Sequence, residues 1–225
     1  MQTAFIVALA IIVGTILLSL AWRLMSRRHV IPCPSWLGRM VESDNPLARS
    51  NRAGFIVESL SIEPGMRVLD AGCGPGRVAI PLAAAVGPSG IVVAADLQQG
   101  MLDRVAEKAG SAGLTNVETI QAALGARRLE VSSFDRAVIC AVLGEIPDRA
   151  AALAELFGCL KPGGLMAVAE LIFDPHFQTA TSVRTLARNA GFVERALHGN
   201  RFAYLMILER PTVPPHKSLE RSRER

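Results

Sequence analysis

A strand that stops at a carboxylate and turns through three glycines into a helix is the feature that most constrains this chain. Asp70-Ala71-Gly72-Cys73-Gly74-Pro75-Gly76 follows directly on the apolar run Val68-Leu69. Glycines are needed where the backbone takes positive φ or must come close to a ligand. The helix expected behind the turn, from about Arg77 to Ala85, points its N-terminal amides at whatever rests on the turn. The spacing is G-x-G-x-G and not the G-x-G-x-x-G of dinucleotide binders. No G-x-x-x-x-G-K followed by Ser or Thr occurs, which argues against a nucleoside triphosphate.

A second element stands at a fitting distance. Ile91-Val92-Val93-Ala94-Ala95 is uninterrupted and apolar, as a strand buried on both faces should be. It ends at Asp96, roughly 20 residues past the glycines, where a carboxylate can accept hydrogen bonds from a ribose diol. Further on, Leu160-Lys161-Pro162-Gly163-Gly164 precedes another apolar run. With V-L-D-A-G-C-G-P-G and V-V-A-A-D, this third motif resembles the class I S-adenosylmethionine-dependent methyltransferases, in particular the type 11 and quinone-methyltransferase-like members. The resemblance covers about Asn45 to Pro211.

The resemblance implies S-adenosylmethionine as cofactor. Gly72, Gly74 and Gly76 would pass close to its methionyl part, Asp96 would hold the ribose, and Leu97 would join the cofactor site. Asp70 either holds the turn or binds the cofactor's amino group; as a cap on the glycine turn it needs no ligand. Family members often carry an acidic residue just after the third strand, in contact with adenine. Here the place reads Gln121-Ala122-Ala123-Leu124, without a carboxylate.

Two residues are candidates for chemistry on the acceptor. Glu145 follows the fourth strand, where related enzymes often have histidines at the Gly144-Glu145 positions. It could serve as a base or bind a substrate cation, or be only a carboxylate favoured by the dipole of a helix start. His176, in Phe173-Asp174-Pro175-His176 after the fifth strand, has the intrinsic pKa of a base and an equally simple reading as a loop histidine. The four cysteines, Cys33, Cys73, Cys140 and Cys159, form no C-x-x-C pair and no metal spacing with the four histidines. A metal is therefore not expected.

The alternation of elements defines the expected fold. Strands at 68–70, 91–95, 117–121, 137–141 and 165–170 alternate with helices at 77–86, 100–110 and 149–160. The helix Thr181–Ala190 then leads to an antiparallel pair, Val193–His198 and Ala203–Glu209, joined through Gly199-Asn200. The expected class is α/β, a Rossmann-like seven-stranded, mostly parallel sheet with an antiparallel last strand. A helix from the Asn45-Pro46 start to about Leu60 would precede it.

From Thr3 to Trp22 no residue is charged, and about 20 apolar residues are enough to cross a bilayer core. Trp22 fits an interfacial anchor, and Arg23, Arg27 and Arg28 follow, which predicts a cytoplasmic domain behind a single transmembrane helix. A cleaved signal peptide is the competing reading, disfavoured by the lack of a basic n-region. The expected organisation is a transmembrane anchor at 1–22, a juxtamembrane connector at 23–44, a methyltransferase domain at 45–211 and a disordered basic tail at 212–225. The net charge of +4 gathers largely in Arg23–Arg28 and Lys217–Arg225, and there is one Tyr. A nucleic-acid partner is therefore not expected.

The expected function is methyl transfer to a small hydrophobic or lipid-like acceptor at the cytoplasmic membrane face. An inactive cofactor-binding module tethered to the membrane and a protein methyltransferase are the alternatives. The acceptor, the atom methylated and the oligomeric state are left open.

Overall fold

The computed structural model describes residues 6–7, 9–11, 13–14, 17, 44–45 and 48–213. Seven strands build one sheet: β1 (Arg67–Ala71), β2 (Ile91–Asp96), β3 (Val117–Gln121), β4 (Phe134–Cys140), β5 (Leu160–Leu171), β6 (Val193–Asn200) and β7 (Ala203–Glu209). Their order across the sheet is β3-β2-β1-β4-β5-β7-β6. β1 to β5 pair in parallel, and β7 runs antiparallel to both β5 and β6. The expected fold class and the antiparallel last strand are therefore present.

Side chains alternate across the strands, so each face collects its own core. Leu69, Val93, Ile139 and Val168 pack against α4 (Arg149–Cys159) and α5 (Ala180–Ala190) through Leu153, Leu156, Val183 and Ala187. Val68, Val92, Val138 and Ala169 face the other way, onto α1 (Ala53–Ser59), α2 (Ala79–Val86) and α3 (Gln99–Ser111), with Ile56, Leu82 and Val105 between. The continuous apolar runs of β1 and β2 follow from this double covering.

Several boundaries differ from the sequence reading, each for a local reason. The helix expected from Asn45 does not form there: a 3-10 turn at Arg49–Asn51 comes first, and α1 begins only at Ala53. Asp44, not Asn45, serves its start, with Oδ1 accepting from the Ala53 N–H at 3.0 Å. Strand β5 absorbs Lys161-Pro162-Gly163-Gly164 and so begins before the expected 165. The Gly163 N–H donates to the Arg210 carbonyl, the Arg210 N–H donates to the Gly164 carbonyl, and a register shift between Phe134 and Arg136 accommodates the proline. The β6–β7 turn is Arg201-Phe202, two residues later than expected, because Asn200 Oδ1 accepts from the N–H groups of Phe202 and Ala203. Asp148 caps α4, accepting from the Ala151 N–H at 2.9 Å.

The transmembrane anchor expected at 1–22 and the connector at 23–44 lie largely outside the described residues. So do Cys33 and the tail from 214 on. Of the anchor, Ile6, Val7, Leu9, Ile11, Val13 and Leu17 are described; they are helical and exposed. Among the described residues no helix is long and apolar enough to cross a membrane.

Candidate active site

Parallel strands end at one edge, and a crevice opens where neighbouring strands leave in opposite directions across the sheet. Here that point lies between β1 and β4, because the chain proceeds from β1 toward β3 and then returns to β4. The glycine turn sits on it. Gly72, Gly74 and Gly76 all take positive φ, at 73°, 49° and 85°. A Cβ on Gly72 would lie 2.5 Å from Val142 Cγ1, so the turn packs directly on the end of β4, whereas a Cβ on Gly74 would meet nothing within 4 Å. The turn is closed by packing at its first glycine and open at its second.

Asp96 shapes this opening. Its Oδ2 accepts from the Gly74 N–H and its Oδ1 from the Gln98 N–H, both at 2.9 Å. Each carboxylate oxygen keeps a further lone pair for a ligand. Leu97 beside it is exposed, and its carbonyl accepts from Gln121 Nε2 at 3.0 Å, so the position without a carboxylate after β3 is used to tie the β2 and β3 ends together. Asp70 is 2% exposed, and its Oδ2 has no hydrogen-bond partner. Burial pushes its carboxyl up to about 7; Arg77 opposes the rise and Asp96 adds to it.

Sequence reasoning missed the cluster on the same face. Arg77, the first residue behind the glycines, donates through Nη1 to Asp44 Oδ1 and to the Asn51 carbonyl, each at 2.7 Å, and through Nη2 to Cys140 Sγ at 2.9 Å. Asn51 Nδ2 donates to the Glu170 carbonyl at 2.8 Å. Burial raises the Cys140 thiol to about 11, so it is not a nucleophile near neutral pH. A cation directly behind the last glycine was the available signal for Arg77.

The two candidates for chemistry come together on the other side of β4. Glu145 lies on a 3-10 turn at Leu143–Glu145, and its Oε1 is 3.7 Å from His176 Nδ1. Asp174 Oδ1 lies 3.9 Å from the same nitrogen and accepts the His176 N–H at 2.6 Å. Both ring nitrogens of His176 are buried without a hydrogen-bond partner. Gly144 lets the loop approach: a Cβ there would stand 1.8 Å from the His176 carbonyl oxygen. As the loop stands, a side chain at that position has no room. Glu170, 1% exposed, was also missed; its Oε2 accepts from the Gln178 N–H at 3.0 Å while Oε1 has no partner. Burial raises its carboxyl to about 8. Tyr204 donates to the Gln178 carbonyl at 2.8 Å, fixing the same loop. Among the described residues no group of three or more His, Cys, Asp or Glu is placed to hold a metal ion. Close by, a cavity of about 650 Å³ opens between the starts of α4 and α5, lined by Arg149, Thr179, Ser182 and Thr185.

Comparison with known proteins agrees with this geometry. Residues 68–164 match the family described as a methyltransferase domain. A demethylmenaquinone methyltransferase of Staphylococcus aureus is 34% identical over 115 residues, 51% of this chain and 47% of that protein. An uncharacterised 37.1 kDa transposon protein of Streptomyces fradiae is 35% identical over 140 residues, 62% of this chain and 39% of that protein. The chain thus spans less than half the length of these curated relatives. Among solved structures, a SAM-dependent methyltransferase from Aquifex aeolicus superposes with a TM-score of 0.71 at 20% identity, covering 79% of this chain and 98% of its own. The cyclase SpnF superposes with a TM-score of 0.65 at 17% identity, covering 72% and 80%. These likenesses show the fold. With the domain match, they support an enzyme of the class I S-adenosylmethionine-dependent methyltransferase kind, with S-adenosylmethionine as its cofactor.

Proposed function

We propose that this chain transfers a methyl group from S-adenosylmethionine to a small hydrophobic or lipid-like acceptor of quinone type, at the cytoplasmic face of a membrane to which residues 1–22 anchor it. The observation that carries the cofactor site is the open, positive-φ turn at Gly74, bracketed by the buried, unpartnered Asp70 Oδ2 and by Asp96. An orphaned acceptor atom beside a cradle without side chains fits a ligand that brings a cationic amino group and a ribose. Asp70, Gly74 and Asp96 would hold it. The cofactor supplies an electrophilic methyl group on a sulfonium, so the protein's part is positioning and, for a protic acceptor, taking up a proton. Glu145 and His176 are proposed for that uptake, since they stand together beyond the same sheet edge.

The acceptor class rests on two supports. One relative is named for a demethylmenaquinone, and the uncharged stretch from Thr3 to Trp22 would hold the domain where such molecules partition. Titration calorimetry of the full chain in detergent micelles, with S-adenosylmethionine and S-adenosylhomocysteine, tests the reading. Saturable binding, weakened at least about tenfold by Asp96→Ala, is expected, because that variant releases the Gly74 and Gln98 amides and removes the ribose acceptor. Absence of binding by the folded chain would overturn it.

A further inference from the structure

We propose that Arg77 is a positioning residue of the cofactor site: it ties Asp44 and Asn51 to the glycine turn and supplies the positive charge that keeps Asp70 ready for a cationic group. The inference rests on the cofactor reading above and assigns a role to a residue that does not itself touch the cofactor in that reading.

The latch is built from three directions. Arg77 leaves the turn directly after Gly76 and is held by a carboxylate of the incoming chain (Asp44), a backbone carbonyl of the 3-10 turn (Asn51) and the sulfur at the end of β4 (Cys140). The planar, forked guanidinium holds its donors toward these acceptors in a fixed geometry, whereas an ammonium on a flexible stem places its donors less rigidly. Asn51 extends the latch, because its Nδ2 donates to the Glu170 carbonyl at the end of β5. Asn51 is thereby tied to β5 and, through Arg77, to β4 and the turn. On its far side the turn is held by Lys108 Nζ, which donates to the Pro75 carbonyl at 2.8 Å. Asp44 also receives the Ala53 N–H, so release of Arg77 would loosen the start of α1.

The charge has a second use. Asp70 lies on the same sheet face as Cys140 and α2, so Arg77 is the cation that faces it. Asp96, Cys73 and Cys140 are the other titratable groups interacting with it, and burial keeps both thiols neutral at ordinary pH. Asp96 pushes the Asp70 carboxyl toward its protonated form and Arg77 opposes this. A protonated Asp70 no longer attracts an ammonium group, so cofactor affinity should fall as pH drops through about 7. Without Arg77 the fall should begin at higher pH.

Three variants separate the two uses: Arg77→Gln, Arg77→Lys and Asp44→Asn, each in the full chain in micelles. S-adenosylmethionine affinity is measured by calorimetry across the pH range, with backbone hydrogen exchange of residues 48–56 in parallel. Arg77→Gln should move the pH midpoint up by about one unit, as loss of one nearby charge does, and through Asp70 alone weaken binding about threefold near pH 7.5. Arg77→Lys should restore the midpoint while exchange in 48–56 stays fast, and Asp44→Asn should speed exchange without moving the midpoint. A merely structural Arg77 would move affinity and exchange together and leave the midpoint alone; that result, or a lysine variant with the midpoint of the glutamine variant, overturns the proposal. If the unaltered chain binds no S-adenosylmethionine, the cofactor reading falls and takes this inference with it. Binding by the unaltered chain with unchanged variants sinks the inference alone.

Discussion

Replacing Glu170 by Gln should make stability less sensitive to pH, and the size of the effect follows from where the carboxyl sits. Glu170 is 1% exposed, one of its oxygens has no partner, and burial raises its pKa from 4.5 to about 8. The neighbouring Asp174 and Glu145 push in the same direction, while the Gln178 N–H and Arg149 oppose it. Between those two values the folded chain keeps a proton that the unfolded chain has lost, so unfolding free energy falls as pH rises through this window. At ~1.4 kcal/mol per unit the full loss has a ceiling of ~5 kcal/mol, and local rearrangement with water entry should leave about 1–3 kcal/mol. Glutamine matches the protonated carboxyl in shape and still offers an oxygen to the Gln178 N–H. The variant should therefore equal the parent at about pH 4, below the window, and exceed it by about 1–3 kcal/mol at about pH 8.5. Asp70 contributes a slope of the same sign, but its window closes at about 7, so the difference above that pH belongs to Glu170. Urea unfolding followed by far-ultraviolet circular dichroism at both pH values measures it. Parallel pH profiles for the two proteins would refute the reasoning, since they would mean that Glu170 ionises in the fold without penalty.

Two further outcomes are expected. Asp148→Ala removes the side chain that accepts the Ala151 N–H at the start of α4 and should lower the unfolding free energy by about 1 kcal/mol, read from the urea midpoint at unchanged slope. Gly144→Ala places a methyl carbon where only 1.8 Å separates it from the His176 carbonyl oxygen, so the loop must move; stability should fall by about 2–3 kcal/mol. In that variant S-adenosylmethionine affinity should persist while turnover drops, and unchanged turnover would remove Glu145 and His176 from the chemistry.

What could be read from the sequence was what neighbours along the chain determine. The glycine turn and the strands β1, β2 and β3 depend on residues a few positions apart and appear where the pattern put them, while β4 and β5 begin earlier than expected, at Phe134 and Leu160. The β6–β7 turn slipped by two residues because Gly199-Asn200 has the composition of a tight turn, yet Asn200 instead uses its side chain to close the turn at Arg201-Phe202. The Arg77 cluster was illegible for a different reason. Its partners Asp44, Asn51 and Cys140 stand 33, 26 and 63 residues away, and only the sheet order brings them to one edge. Ala141 shows the same limit: a non-glycine residue at φ 54° on the end of β4 carries strain that no local signal announces.

Three strands bring an acid to the carboxyl edge, and the fold treats each differently. A buried carboxylate must be paired, hydrogen-bonded or neutralised. Asp96 is hydrogen-bonded, since two backbone amides cover its oxygens. Glu170, on the face of α4 and α5, is neutralised, because burial leaves it holding its proton near neutral pH. Asp70, on the face of α2, is balanced between ionisation and protonation by Arg77 and Asp96, with one oxygen left unpartnered. Of the three, Asp70 is therefore the one whose state a cationic ligand at the glycine turn would change most. Glu170 points to the opposite face, behind the loop fixed by Gln178 and Tyr204. The asymmetry separates a side of the crevice that attracts positive charge from a side, with Glu145 and His176, where a proton could be accepted. In the proposed function that division would let Asp70 hold the cofactor's ammonium group while Glu145 and His176 take up a proton from the acceptor.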